Sequence, residues 1–201
     1  MEGSKEMTSE RILSKALELM KDKGFKAVTM RELAQASKVS EMTIMRHFQT
    51  KKGVLEAAVK RNSHDVGAKF EKIFESELVW ELERDLERIA LSYLSMMEMN
   101  RAVCLIAVQE RATMPDLVNV ISENTGRLKQ FLVAYFDEMH KKGKIRTVNN
   151  AVQASTFLTT LFGYFLSTSL WGNQFIKESK ELFVSQFIEV YCNGLNPNPG
   201  T

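Results

Sequence analysis

Turn-forming residues are scarce: the 201 residues include only three prolines and ten glycines. An all-β fold needs turn signals roughly every 8–12 residues, so a sandwich or barrel is excluded. Cysteine is nearly absent too. Cys104 and Cys192 have no CxxC spacing, which excludes a disulfide framework and a zinc ribbon. Cys104 stands inside the apolar run Val103–Val108 and reads as a buried free thiol, in keeping with a reducing compartment. The three histidines, His47, His64 and His140, form no HExxH and no pair at metal-ligand spacing. Glu138 and His140 lie two apart, on different sides of a helix. No GxxxxGK[ST], GxGxxG or GxSxG occurs. Without an acid–base or metal cluster, neither an enzyme nor a cofactor is expected.

Long apolar runs are missing as well. Between Thr147 and Ile176 no residue is charged. Even so, Gln153, Ser155, Thr156, Thr159, Thr160, Ser167, Thr168 and Ser169 keep this stretch short of the ~18 consecutive apolar residues that mark a membrane span. A helix buried between protein neighbours explains it better. Residues Met1 to Glu10 are polar and lack the apolar core of a signal peptide. The expectation is a cytoplasmic protein with no membrane partner.

What the chain does contain is helix formers, with 44% hydrophobic and 26% charged residues, the balance of an ordinary globular protein. Net charge is +2, unevenly spread. Residues 1–64 carry 13 Lys and Arg against 8 Asp and Glu, a balance of +5, and the remainder carries −3. A basic first third fits a polyanionic partner, although a solvated face would look the same by charge alone.

Periodicity supplies the elements. Ile12, Leu13, Ala16, Leu17 and Met20 make one apolar helical face, capped by Thr8 or Ser9 and stopped at Gly24. Thr29 with Glu32 forms a capping box for a second helix, about Met30 to Ser37. The turn Ser37-Lys38-Val39 leads to Ser40, the cap of a third helix over Glu41–Phe48, and Thr50 caps a fourth. Further helices are expected near 66–76, 78–98, 101–112, 115–142, 150–170 and 179–193. Pro115 marks one start, and Asn196 to Thr201 is expected to be a disordered tail.

Two short helices joined by a three-residue turn make a helix-turn-helix. The second is too short to stand alone. It points Glu41, Thr43, Arg46 and His47 outward and is anchored by Val39, Ile44 and Phe48. A solvated surface helix would share that periodicity. The residue order is more specific: the run from Ile12 through Gly24-Phe25 and Val28-Thr29-Met30-Arg31-Glu32-Leu33-Ala34 to Thr43-Ile44-Met45-Arg46-His47-Phe48-Gln49-Thr50-Lys51 resembles the DNA-binding domain of the tetracycline-repressor (TetR) family. The likeness is strong over about 8–60. It is weaker at Gly143-Lys144-Ile145-Arg146 and Leu161-Phe162-Gly163, which look like the approach to and body of the family's penultimate helix.

The resemblance implies an all-α fold: a helix-turn-helix DNA-binding domain over 1–60 and a helical regulatory and dimerisation domain over 61–201. It implies that Thr29, His47 and Lys51 contact phosphates. Ser40 and Thr43 would meet phosphate or base edges at the start of the recognition helix, and Arg46 is the candidate for reading guanine. Three positions depart from the family pattern. Lys38 replaces a turn glycine and adds a charge for phosphate; Met42 replaces a small residue; Met45 replaces a tyrosine. With Glu41 these complete the candidate DNA-facing set. The methionines also read simply as packing filler.

The remainder of the chain is rich in methionine and aromatic residues, which line adaptable apolar pockets and equally fill helical cores. Met97, Phe131, Tyr135, Phe162 and Trp171 are the candidates for touching a ligand, chosen for their inward faces. The face Ala151-Ala154-Phe157-Leu158-Leu161-Phe165 is expected to seal a homodimer, as the family does with its last two long helices. The expected function is a repressor released from a pseudo-palindromic double-stranded operator by a small apolar or amphipathic effector. The alternative is a helical small-molecule-binding protein without DNA function.

Overall fold

The computed structural model describes residues 2–112 and 115–196; the expected tail beyond Asn196 lies outside them. The α-helices among these residues are α1 (Glu2–Lys23), α2 (Met30–Ala36), α3 (Glu41–Phe48), α4 (Lys51–Lys72), α5 (Leu82–Met99), α6 (Arg101–Gln109), α7 (Pro115–Lys141), α8 (Asn150–Trp171) and α9 (Lys180–Leu195). There is no strand among the described residues. Helix α1 begins well before the expected cap, because Lys5, Glu6 and Met7 are helix formers and no proline interrupts them. Helix α4 runs unbroken to Lys72 and then passes into a π-helical turn, Ile73–Glu77.

The chain folds as two compact units. The first holds the chain up to Val66 together with Asn100–Asn124; the second holds Gly67–Met99 and the chain from Thr125 onward. In the first unit the apolar stripes of α1 (Ile12, Ala16, Met20), α2 (Leu33, Ala34), α3 (Ile44) and α4 (Val54, Leu55, Ala58) converge on one core. Helix α6 completes it with Val103, Ile106 and Ala107. At the α3–α4 junction, a Cβ on Gly53 would stand 2.2 Å from the Phe48 carbonyl oxygen. Only glycine allows that approach.

In the second unit α5 packs against α8 and α9. A chain of rings runs through it: Trp80 stacks on Tyr135 at 5.8 Å, Phe136 meets Tyr191 at 6.4 Å, and Tyr191 meets Phe157 at 5.5 Å. The α8 face expected to seal a dimer is here instead. Ala154, Phe157, Leu158, Leu161 and Phe165 are all buried within one chain, and of that set only Ala151 is exposed. The face is too apolar to leave wet, but α5 and α9 of the same chain already keep it dry.

Candidate nucleic-acid interface

Two caps, both local in sequence, set the helix-turn-helix. The Thr29 hydroxyl accepts from the Glu32 N–H at 3.2 Å, and the Glu32 carboxylate accepts from the Thr29 N–H at 2.9 Å. The Thr29 hydroxyl also donates to Glu32 Oε2 at 3.0 Å. Lys23, at the end of α1, binds the other Glu32 oxygen at 2.8 Å. The turn is held from α1 as well, by Arg11 Nε donating to the Ser37 carbonyl at 2.9 Å. Lys38 has φ of 52°, the left-handed conformation expected where the family's glycine is replaced. The Ser40 hydroxyl accepts from the Thr43 N–H at 3.1 Å and shares a 2.9 Å hydrogen bond with the Thr43 hydroxyl.

Helix α3 is pinned at Ile44, which is fully buried. Val39 and Phe48 pack against the same core. The opposite side is presented outward: Glu41, Met42, Met45 and Arg46 are exposed, Met42 at 73%. Thr43 and His47 are half-buried. Large apolar side chains this open are not core filler, contrary to the simplest reading of Met42 and Met45. Arg31, on the first turn of α2, is exposed beside the capped helix start and was not singled out by the sequence pattern. Lys51 differs from the rest: its ammonium is engaged by carbonyls of the α1–α2 connection.

The Glu32 carboxyl is held down at about 2, first by the Lys23 hydrogen bond and then by those from Thr29. Its ordinary value is 4.5. Between the two, the unfolded chain binds more protons than the folded one, so stability falls as pH falls. The capping contribution is whole above about 4.5 and fades toward about 2. An acid titration of thermal stability should show this loss, and Glu32→Gln should flatten that part of the curve. An unchanged curve in Glu32→Gln would remove Glu32 as the acid-sensitive group.

The five candidate ligand contacts all lie in the second unit. Met97 and Tyr135 are buried, and Phe131 and Phe162 are half-buried. Phe131 stacks on Phe74 at 5.1 Å and Phe162 on Phe165 at 6.2 Å. The Tyr135 hydroxyl donates to Asp85 Oδ2 at 3.0 Å, and burial chiefly pushes its pKa upward. Trp171 is not inward-facing: it is 54% exposed, at the end of α8, in contact only edge-on with Phe175 among ring neighbours described. Asp85 was missed. It is buried at 1% exposure and also accepts from the Val79 N–H at 2.9 Å. In sequence it belongs to the charged run Glu81–Asp85, which has the appearance of a solvated face. A groove of about 480 Å³ is lined by Lys129, Asn149 and the exposed side of α8 from Ala151 to Thr160. None of the five candidates lines it.

Residues 12–58 match the profile of the bacterial regulatory proteins of the tetR family. Over 189 residues, 94% of this chain and 97% of the relative, the sequence is 32% identical to the HTH-type transcriptional regulator YvkB of Bacillus subtilis (strain 168). The chain belongs to the TetR family. Solved transcriptional regulators share its fold, among them TetR-family members. The regulator PfmR of Thermus thermophilus superposes with a TM-score of 0.73 at 21% identity, over 93% of this chain and all of that one. A transcriptional regulator of Saccharomonospora viridis, solved in complex with choline, gives 0.79 at 19%, over 96% of this chain and all of that one. This TetR-family member is therefore a DNA-binding transcriptional regulator with a helix-turn-helix, and its relatives are regulators rather than enzymes. No single helix among its described residues is long and apolar enough to cross a membrane.

Proposed function

We propose that this regulator is a homodimeric repressor that leaves a pseudo-palindromic operator when a small apolar or amphipathic effector binds its helical body. Residues 1–60 form the DNA-reading part and 61–201 the regulatory part, with α6 lending its apolar side to the core of the former. The observation that carries the DNA-reading half is the presented face of α3. A short helix capped at Ser40, pinned at Ile44 and open at Glu41, Met42, Met45 and Arg46 fits a major groove. Thr29, Lys38, Ser40, Thr43 and His47 take the flanking phosphates, joined by Arg31. Arg46 reads guanine.

The dimer uses a different surface from the buried face of α8. Val152, Thr156, Thr159, Gly163 and Leu170 recur along one exposed stripe of that helix. Leu182, Gln186 and Val190 make a second stripe on α9, with Val190 73% exposed. The apolar members of the two stripes, Val152, Leu170, Leu182 and Val190, are each at least half exposed within one chain, and a second copy would cover them. The small Gly163 allows close helix approach, and the groove along α8 lies on the same stripe.

Selection of bound duplexes from a random pool tests the reading face. The wild type should return two related half-sites. Arg46→Ala should cost ~1–3 kcal/mol and relax one position in each half-site. An unchanged motif would remove Arg46 from base reading. Effector action is tested by titrating the selected duplex with each small molecule that raises the melting temperature. The coupling must be reciprocal, and a typical value is ~1–3 kcal/mol. Stabilising ligands that leave DNA affinity untouched would rule out the sensor mechanism.

A further inference from the structure

We propose that Lys51 serves DNA binding as a positioning residue: its ammonium locks the connection between α1 and α2 onto the start of α4, and so places the N-terminus of α2. Four contacts carry this. Lys51 Nζ donates to the carbonyls of Phe25 at 2.8 Å, Lys26 at 3.2 Å and Val28 at 2.6 Å. It also sits 4.5 Å from the centre of the Phe25 ring. An ammonium has three N–H donors, so all three are committed, and the ring covers another side of the charge.

The acceptors explain the arrangement. Gly24 ends α1 with φ of 81°, and the next helix is capped only at Thr29. The carbonyls of Phe25, Lys26 and Val28 lie between the two helices, outside either ladder. They converge on one point, and a compact ammonium satisfies them where a planar guanidinium does not. Because the connection leads directly into Thr29, the capping box begins from a backbone that Lys51 holds. The phosphate-facing end of α2, with Thr29 and the exposed Arg31, is thereby fixed relative to α4 within the same unit. Lysine at the head of α4 acts on DNA through that backbone, not by spending its own donors on a phosphate.

The test compares Lys51→Met and Lys51→Arg in the full-length protein, using a duplex selected by the wild type and measuring affinity per folded molecule over a salt series. Positioning predicts that both variants bind about tenfold more weakly, equivalent to about 1.4 kcal/mol, and that arginine does not rescue. It also predicts a salt slope close to wild type. A direct phosphate contact predicts instead that Lys51→Arg binds as the wild type does while Lys51→Met loses ~0.9 from the slope; that result would overturn the proposal. So would variants that melt earlier yet bind normally once folded, since Lys51 would then only add stability. If neither variant folds, the nitrogen resonance of the wild-type Lys51 ammonium decides. Slowly exchanging protons that persist unchanged on adding the duplex support positioning, whereas a scalar coupling to DNA phosphorus refutes it.

Discussion

Raising salt from about 50 to about 200 mM is expected to weaken operator binding by ~10³–10⁵, as for a protein that makes ~6–10 phosphate contacts. The physical cause is release of counterions condensed on DNA, which becomes less favourable as bulk salt rises. The first 64 residues carry a balance of +5. In the folded head Lys26, Arg31, Lys38 and Arg46 are exposed. The capped starts of α2 and α3 add oriented N–H groups to these charges. Surface ion pairs within the head, such as Lys15 with Glu18 and Lys52 with Glu56, are worth little and shield little. A log–log plot of affinity against salt is the measurement, with the melting temperature followed in parallel to show that the fold survives. A flat response would remove the phosphate contacts assigned to the head.

Phe157→Glu is expected to abolish folding of the second unit, whereas Val190→Glu is expected to leave a folded monomer. Phe157 is fully buried, and its ring meets Phe187 at 5.6 Å and Tyr191 at 5.5 Å. Removing such a ring costs ~3–5 kcal/mol, and placing a carboxylate in the vacated apolar site adds a desolvation penalty of several more. Together these approach the entire ~5–15 kcal/mol stability of a domain. Val190 is 73% exposed in one chain, so glutamate there meets water unless a second copy covers it. Circular dichroism and sedimentation separate the cases. A folded, monomeric Phe157→Glu protein would return the dimer seam to the buried face of α8, and an intact Val190→Glu dimer would move it off α9.

The contrast between those two residues shows where sequence patterning stops. The helix-turn-helix was legible because its signals are local. Thr29 and Glu32, or Ser40 and Thr43, are close enough in sequence that cap and helix imply each other. The apolar stripe of α8 was equally visible, but periodicity says only that a face is covered, never by what. Distant neighbours decide that: α5 packs on α8, and the α9 rings of Phe187 and Tyr191 meet Phe157. Trp171 failed for a related reason: it sits at the last residue of α8, where helical phase no longer guarantees burial. Asp85 was hidden because its partners, Tyr135 and the Val79 N–H, come together only in the folded unit. The role of Lys51 was unreadable from spacing, since its acceptors are backbone carbonyls more than twenty positions away.

The placement of α6 has a consequence for how the molecule is made. Val103, Ile106 and Ala107 close a core whose other members all precede residue 60. During synthesis the DNA-reading helices emerge first, yet their last apolar surface arrives only after α5, which belongs to the other unit, has also been translated. The head therefore matures late, by closing a long loop onto itself, and that loop closure is entropically slow compared with its local helices. The same order limits recombination between relatives. A graft that transfers residues 1–60 alone carries the reading face but inherits a foreign α6, and its core is matched only if those three side chains travel with it.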